Sequence, residues 1–137
     1  MPTAYADSLL REHVAGASYR QLGSRYGLGK TTVASLIQEA LDDLVFQTTV
    51  DLYAAWRDEQ ATGVGHYPVF VIPAQNQALR AAALRLVELV RRRMRARGVP
   101  VKTVLRNVPA NDESPGGSVW MLTLDQAEND RREAAKE

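Results

Sequence analysis

Eight side chains in one short stretch carry the groups needed to recognise a polyanion: Arg20, Gln21 and Arg25, then Lys30, Thr31, Thr32, Ser35 and Gln38. Threonine and serine hydroxyls bond phosphate oxygens or base edges, and lysine reads guanine or holds a phosphate. Glutamine can read adenine, because one amide offers a donor and an acceptor side by side. No acidic side chain interrupts this set. The chemistry on offer is hydrogen bonding and charge, with no bond making or breaking.

Such groups act together only if the backbone presents them together, and the residues between Ser18 and Gln38 are suited to that. Leu22 and Tyr26 are spaced as the inner face of one short helix, and Val33 and Leu36 as the inner face of a second. Gly27 opens the turn between them, in a place that demands a left-handed backbone, and Leu28 plugs the corner. Gly23 lets the two helix backbones approach closely. Ser18 followed by Gln21 is a capping box that satisfies the amides at the first helix's start. A preceding helix is expected from about Ala4 to Ala15, burying Leu9, Leu10 and Val14 and ending at Gly16.

This pattern resembles the helix-turn-helix DNA-binding superfamily, most closely the homeodomain-like units of resolvases, transposases and the promoter-reading end of sigma factors. The resemblance covers residues 5–45, about a third of the chain, and is specific for the fold unit rather than for the biological task. One departure is Gly23, where alanine is more usual, at a cost of about 1 kcal/mol in helix propensity. The resemblance implies that the helix beginning near Lys30 enters the major groove of double-stranded DNA.

Other chemistries find no support. The run Gly27-Leu28-Gly29-Lys30-Thr31 imitates a phosphate-binding loop, but the earlier glycine that such a loop needs is Ser24, inside a helix. His13 and His66 are isolated, and Glu39, Asp42 and Asp43 read as a solvated helix face, so no metal site is expected. Cysteine is absent, which excludes disulfides and thiolate metal sites and is compatible with a cytoplasmic, nucleoid-associated protein. No nucleophile constellation is visible, so neither catalysis nor a cofactor is expected. Trp56, Tyr67 and Trp120 could line an effector pocket, with core packing as the default reading.

Net charge is only +1, yet the charge is sorted along the chain. Residues 1–38 carry +2, residues 39–73 carry −5, residues 74–106 carry +8 and residues 107–137 carry −4. The basic block culminates in Arg91, Arg92, Arg93, Arg95 and Arg97. These are candidates for phosphate contact outside the major groove, or for pairing with the acidic 39–73 segment of the same or another subunit. Arginine makes up 14 of the 17 basic residues and alanine is abundant, as in high-GC genomes such as those of actinobacteria and their phages.

The expected fold class is α+β. Residues 1–60 form a three-helix unit whose third helix runs from Lys30 through Trp56, with Thr48-Thr49-Val50 as a place to break or kink. Residues 61–67 read as a linker, 68–125 as a β-α-β-β accessory module, and 126–137 as a charged tail of frayed helix or disorder. Within the module, strands are expected at 68–73, 101–108 and 117–124 and a helix at 76–97, with one right-handed crossover and then a hairpin. The hairpin loop Asn107–Gly116 carries Asp112 and Glu113 and reads as a surface loop rather than a DNA-touching wing. Three strands and one helix leave a sheet face or edge open, which implies a homodimer. No signal peptide or membrane-spanning run is present. The leading expectation is a sequence-specific DNA-binding regulator of repressor type. The alternative is a phage or plasmid DNA-binding adaptor: small-terminase-like, partition or architectural.

Overall fold

The computed structural model describes residues 3–73, 76–108 and 117–136. Five helices and three strands follow in the order α1 (Thr3–Val14), α2 (Tyr19–Tyr26), α3 (Lys30–Thr62), β1 (Val69–Pro73), α4 (Gln77–Ala96), β2 (Val101–Val108), β3 (Gly117–Leu124) and α5 (Gln126–Lys136). The chain is α+β, as its sequence implies. Among the described residues no helix is long and apolar enough to cross a membrane.

The first three helices pack through the residues their spacing selects. Leu9, Leu10 and Val14 of α1, Leu22 of α2, and Val33, Leu36 and Ile37 of α3 are all buried. The start of α2 is fixed by the capping box: the Gln21 amide donates to Ser18 Oγ at 3.1 Å, and the Ser18 amide donates to Gln21 Oε1 at 2.8 Å. Its end is fixed by Gly27, whose φ of 68° lies in the left-handed region. Gly23 serves a closer contact than helix against helix. A Cβ placed there would stand 2.6 Å from the carbonyl oxygen of Leu28, so the turn itself folds over the glycine. The Gly23 carbonyl accepts from the Leu28 amide at 2.8 Å, closing the same corner.

Helix α3 runs unbroken through Thr48-Thr49-Val50. Thr48 is buried, and Thr49 Oγ1 donates to the Val45 carbonyl at 2.7 Å, which returns the hydroxyl to the helix's own backbone. The helix continues beyond Trp56 to Thr62, into the stretch read as a linker. The chain then turns back along it, and the Tyr67 hydroxyl donates to the Glu59 carboxylate. Burial, followed by that negative partner, pushes the Tyr67 phenol up to about 12.

The sheet has the order β1-β3-β2, with β3 antiparallel to both neighbours. The hairpin β2–β3 is as expected, but β3 inserts between the two strands joined through α4, so β1 and β2 run parallel without pairing. Ile72, Val101, Leu122 and Leu124 point into the core with Val87, Val90 and Met94 of α4. The alternate residues look outward: Val69, Val71 and Val104 are 52%, 68% and 36% exposed, which leaves one sheet face open. The segment read as a tail is the helix α5, with its first turn tied by a Glu128 to Arg95 ion pair at 3.2 Å. Of the loop Asn107–Gly116, residues 109–116 lie outside those described.

One apolar cluster runs from Leu9, Leu22 and Ile37 to Val90, Met94 and Leu122, so the N-terminal helices and the sheet share a core. Arg85 of α4 adds a polar tie, donating to the Val14 carbonyl at the end of α1 at 2.6 Å. The tight corner at Gly23 yields a sharp expectation. Gly23→Ala should raise helix propensity by about 1 kcal/mol yet lower net stability by about 1–3 kcal/mol through overpacking. Urea unfolding with an unchanged slope and a lower midpoint is the expected result; a higher midpoint would show that the Leu28 carbonyl gives way freely.

Candidate nucleic-acid interface

The eight sequence-selected residues divide into two groups in the structure. Arg20, Lys30, Thr31, Thr32 and Ser35 are exposed, and their side chains make no hydrogen bond or ion pair among the described residues. Gln21, Arg25 and Gln38 are engaged within the protein. On α3, Thr31, Ser35 and Gln38 follow one another at helical spacing and line one shallow groove with Ala34. Lys30 and Thr32 lie to either side of that line, about 100° around the helix from Thr31.

The start of α3 is electrostatically bare. Its N-cap is Gly29, which has no side chain to accept from the first amides, and no acidic residue sits in the first turn. Those amides and the positive end of the helix dipole therefore face solvent beside Lys30, a combination that attracts phosphate. Farther along, the groove turns acidic at Glu39, Asp42 and Asp43, so the polar, acid-free surface ends after about two turns.

Gln21 is held by the capping box through its carbonyl oxygen, which leaves its amide nitrogen as the free donor. Arg25 is paired with Glu12 of α1, and the Tyr26 hydroxyl donates to the same carboxylate. The spacing of residues 12, 25 and 26 gives no sequence cue to this contact. The Tyr26 hydrogen bond, with the Arg25 bond and charge behind it, holds the Glu12 carboxyl below its ordinary value of 4.5. The pair locks α1 to α2 at the edge of this candidate surface. Arg25 remains 55% exposed and retains free donors.

The five arginines of α4 and its C-cap are also occupied. Arg91 makes a two-bond pair with Glu88 at 2.6 and 3.0 Å, and Arg92 reaches the same carboxylate at 2.9 Å. Glu88 is accordingly lowered, chiefly by the Arg91 hydrogen bonds. Arg95 donates to the Val101 carbonyl at 2.8 Å as well as pairing with Glu128. Arg93 and Arg97 cross to α3 and meet Asp42 at 3.3 and 2.7 Å. Pairing with the acidic 39–73 segment, one of the two readings open from sequence, thus occurs for Arg93 and Arg97. His13 is a packed residue: its Nδ1 lies 2.9 Å from the Ala17 carbonyl and its ring rests on Tyr19. Among the described residues no cluster of metal-binding side chains occurs.

Comparison of the chain with protein-family models, curated proteins and solved structures finds no match. Its functional reading therefore rests on these side chains and their geometry. Trp56 and Tyr67 do meet at a hollow beside the open sheet face. Trp120 projects to the opposite face, in register with Phe70 and Leu105, so the three aromatics form no single pocket.

Glu12 sets a pH expectation. A carboxyl depressed on folding stabilises the native state above its unfolded value, and that contribution disappears as pH falls through the folded one. Stability should therefore decline as pH drops below 4.5, and Glu12→Gln should flatten that part of the profile. Urea midpoints of both proteins between pH 6 and pH 3 (about one to one and a half units either side of the carboxylate range) check this, and parallel profiles would remove Glu12 from the account.

Proposed function

We propose that this protein is a sequence-specific double-stranded DNA-binding protein of the helix-turn-helix type, acting as a transcriptional regulator of repressor character. The observation that carries the proposal is the state of the first two turns of α3. The side chains of Lys30, Thr31, Thr32 and Ser35 stand exposed and unengaged around an uncapped helix start, while the arginines of the densest basic run, at the end of α4, are each paired with a carboxylate. Free hydroxyls and a lysine beside open backbone amides suit a helix that enters the major groove with its N-terminal end. Arg20, from the preceding helix, adds a phosphate contact that fixes register. Gln21, Arg25 and Gln38 contribute through the donors their internal bonds leave free.

The pairing of Arg91, Arg92, Arg93, Arg95 and Arg97 favours the regulator over the architectural or packaging reading. A protein that holds DNA without regard to sequence needs a broad field of free cations, and here each of the five arginines in the densest cationic run is tied to one of three carboxylates, Glu88, Asp42 and Glu128. The open sheet face with Val69, Val71 and Val104 is the surface through which two copies would associate. Two copies related by a two-fold axis read an inverted repeat. Such a protein would work in the cytoplasm, on the nucleoid.

Selection of bound duplexes from a random library, followed by light scattering of the complex, tests the proposal. One inverted repeat bound by two protomers is the expected result. Binding that is salt-sensitive but enriches no motif would overturn it in favour of the architectural alternative. On the selected site, Lys30→Ala and Ser35→Ala should each weaken binding by about 1–3 kcal/mol where the side chain reads a base. If Lys30 instead holds a phosphate, its replacement should lower the slope of log affinity against log salt by about 1.

A further inference from the structure

Of the groove residues Thr31, Ser35 and Gln38, only Gln38 is engaged by another element among the described residues. Arg93 of α4 donates through Nη1 and Nη2 to the Gln38 carbonyl oxygen, at 2.6 and 2.5 Å. Both bonds fall on one atom and use both of its lone pairs. The amide's orientation follows from chemistry: a guanidinium carries donors only, so the group facing it must be the carbonyl and the NH2 must face away. Arg93 is itself held in place. Its Nη1 lies 3.3 Å from Asp42 Oδ1, the oxygen that also accepts from Arg97 at 2.7 Å. Gln38 therefore points into the groove with its acceptor spent and its two N–H donors free.

We propose that Arg93 is a specificity-determining residue that makes Gln38 a donor-only reader, so that Gln38 selects guanine rather than adenine. The inference rests on the DNA-reading function proposed above. Glutamine recognises adenine with two bonds, its nitrogen donating to N7 and its oxygen accepting from N6. With the oxygen occupied by Arg93, the second of those bonds is lost. Guanine presents N7 and O6, both acceptors, and the two free hydrogens of the Gln38 amide match them. Cytosine presents a donor in the major groove and is rejected. Thymine offers one acceptor beside a methyl group, and adenine N7 offers one acceptor beside a donor. Guanine alone satisfies the free end of Gln38 in full. Arg93 acts here as a positioning residue, through Gln38.

The test compares motifs selected from a random duplex library by the wild type, Gln38→Ala, Arg93→Met and Arg93→Lys. The position whose preference relaxes in Gln38→Ala is the one that Gln38 reads. There the wild type should favour guanine over adenine by about ten-fold or more. Arg93→Met, which frees the carbonyl, should reduce that ratio to about two-fold or reverse it. Arg93→Lys retains a donor to the carbonyl and should keep guanine. A second measurement needs no variant: a duplex with 7-deazaguanine at that position, lacking N7, should bind the wild type about five-fold more weakly. Adenine at that position in the wild type overturns the proposal, as does undiminished guanine preference in Arg93→Met. So does a sharp wild-type motif that Gln38→Ala leaves unchanged. These outcomes leave the DNA-reading function standing, whereas a wild type that enriches no motif overturns both.

Discussion

A helix of 33 residues that is apolar along most of its length must be covered along most of its length, and the rest of the fold answers to that requirement. Two short helices cannot do it. They cover the first part, where Val33, Leu36, Ile37, Ala40 and Leu41 are buried, and they leave the part from Leu52 onward to other partners. The sheet and α4 supply these, through Leu122, Leu124, Val90 and Met94. Burial of about 25 cal/mol per Å2 of apolar surface outweighs the modest helix-weakening tendency of Thr48, Thr49 and Val50. The same burial decides which way the helix faces. Once its inner stripe is fixed, Thr31, Ser35 and Gln38 have no choice but the outer surface.

What could be read from the sequence is what depends on near neighbours. The capping box at Ser18 and Gln21, the left-handed turn at Gly27, and the strands bounded by prolines and glycines all announce themselves within a few residues. The order β1-β3-β2 does not, because pairing across 44 or more residues leaves no local trace, and an adjacent parallel pair would need the same residues. Gly23 was half legible: its smallness signalled close approach, but the atom it makes room for, the Leu28 carbonyl, belongs to the turn. The same limit applies to the site. Exposure of Lys30, Thr31, Thr32 and Ser35 follows from helical spacing, whereas the bonds from Arg25 to Glu12 and from Arg93 to Gln38 span 13 and 55 residues.

Charge that is sorted along the chain proves to be mixed in space. The basic block of α4 and the acidic block of α3 come together at Arg93, Arg97 and Asp42, and Arg91 and Arg92 share Glu88 on their own helix. Exposed pairs of this kind add little to stability, about 0–1 kcal/mol each. Their larger effect is subtractive. They remove cations from the list of available anion contacts and leave Arg20 and Lys30 as the distinctive positive features near the start of α3.

The continuity of α3 has a mechanical consequence. At 1.5 Å per residue it is a stiff strut of roughly 50 Å, with its groove-lining residues at one end and the sheet packed near the other. A flexible tether would let two attached heads adjust to targets at varying separations. A strut does not: it carries translation and twist from end to end with little slack. In an assembly joined at the sheets, the distance and angular phase between the two heads would be set by architecture. Targets whose halves are moved apart by a few base pairs, which turn one half around the duplex as well as away, would be rejected even when both halves are perfect.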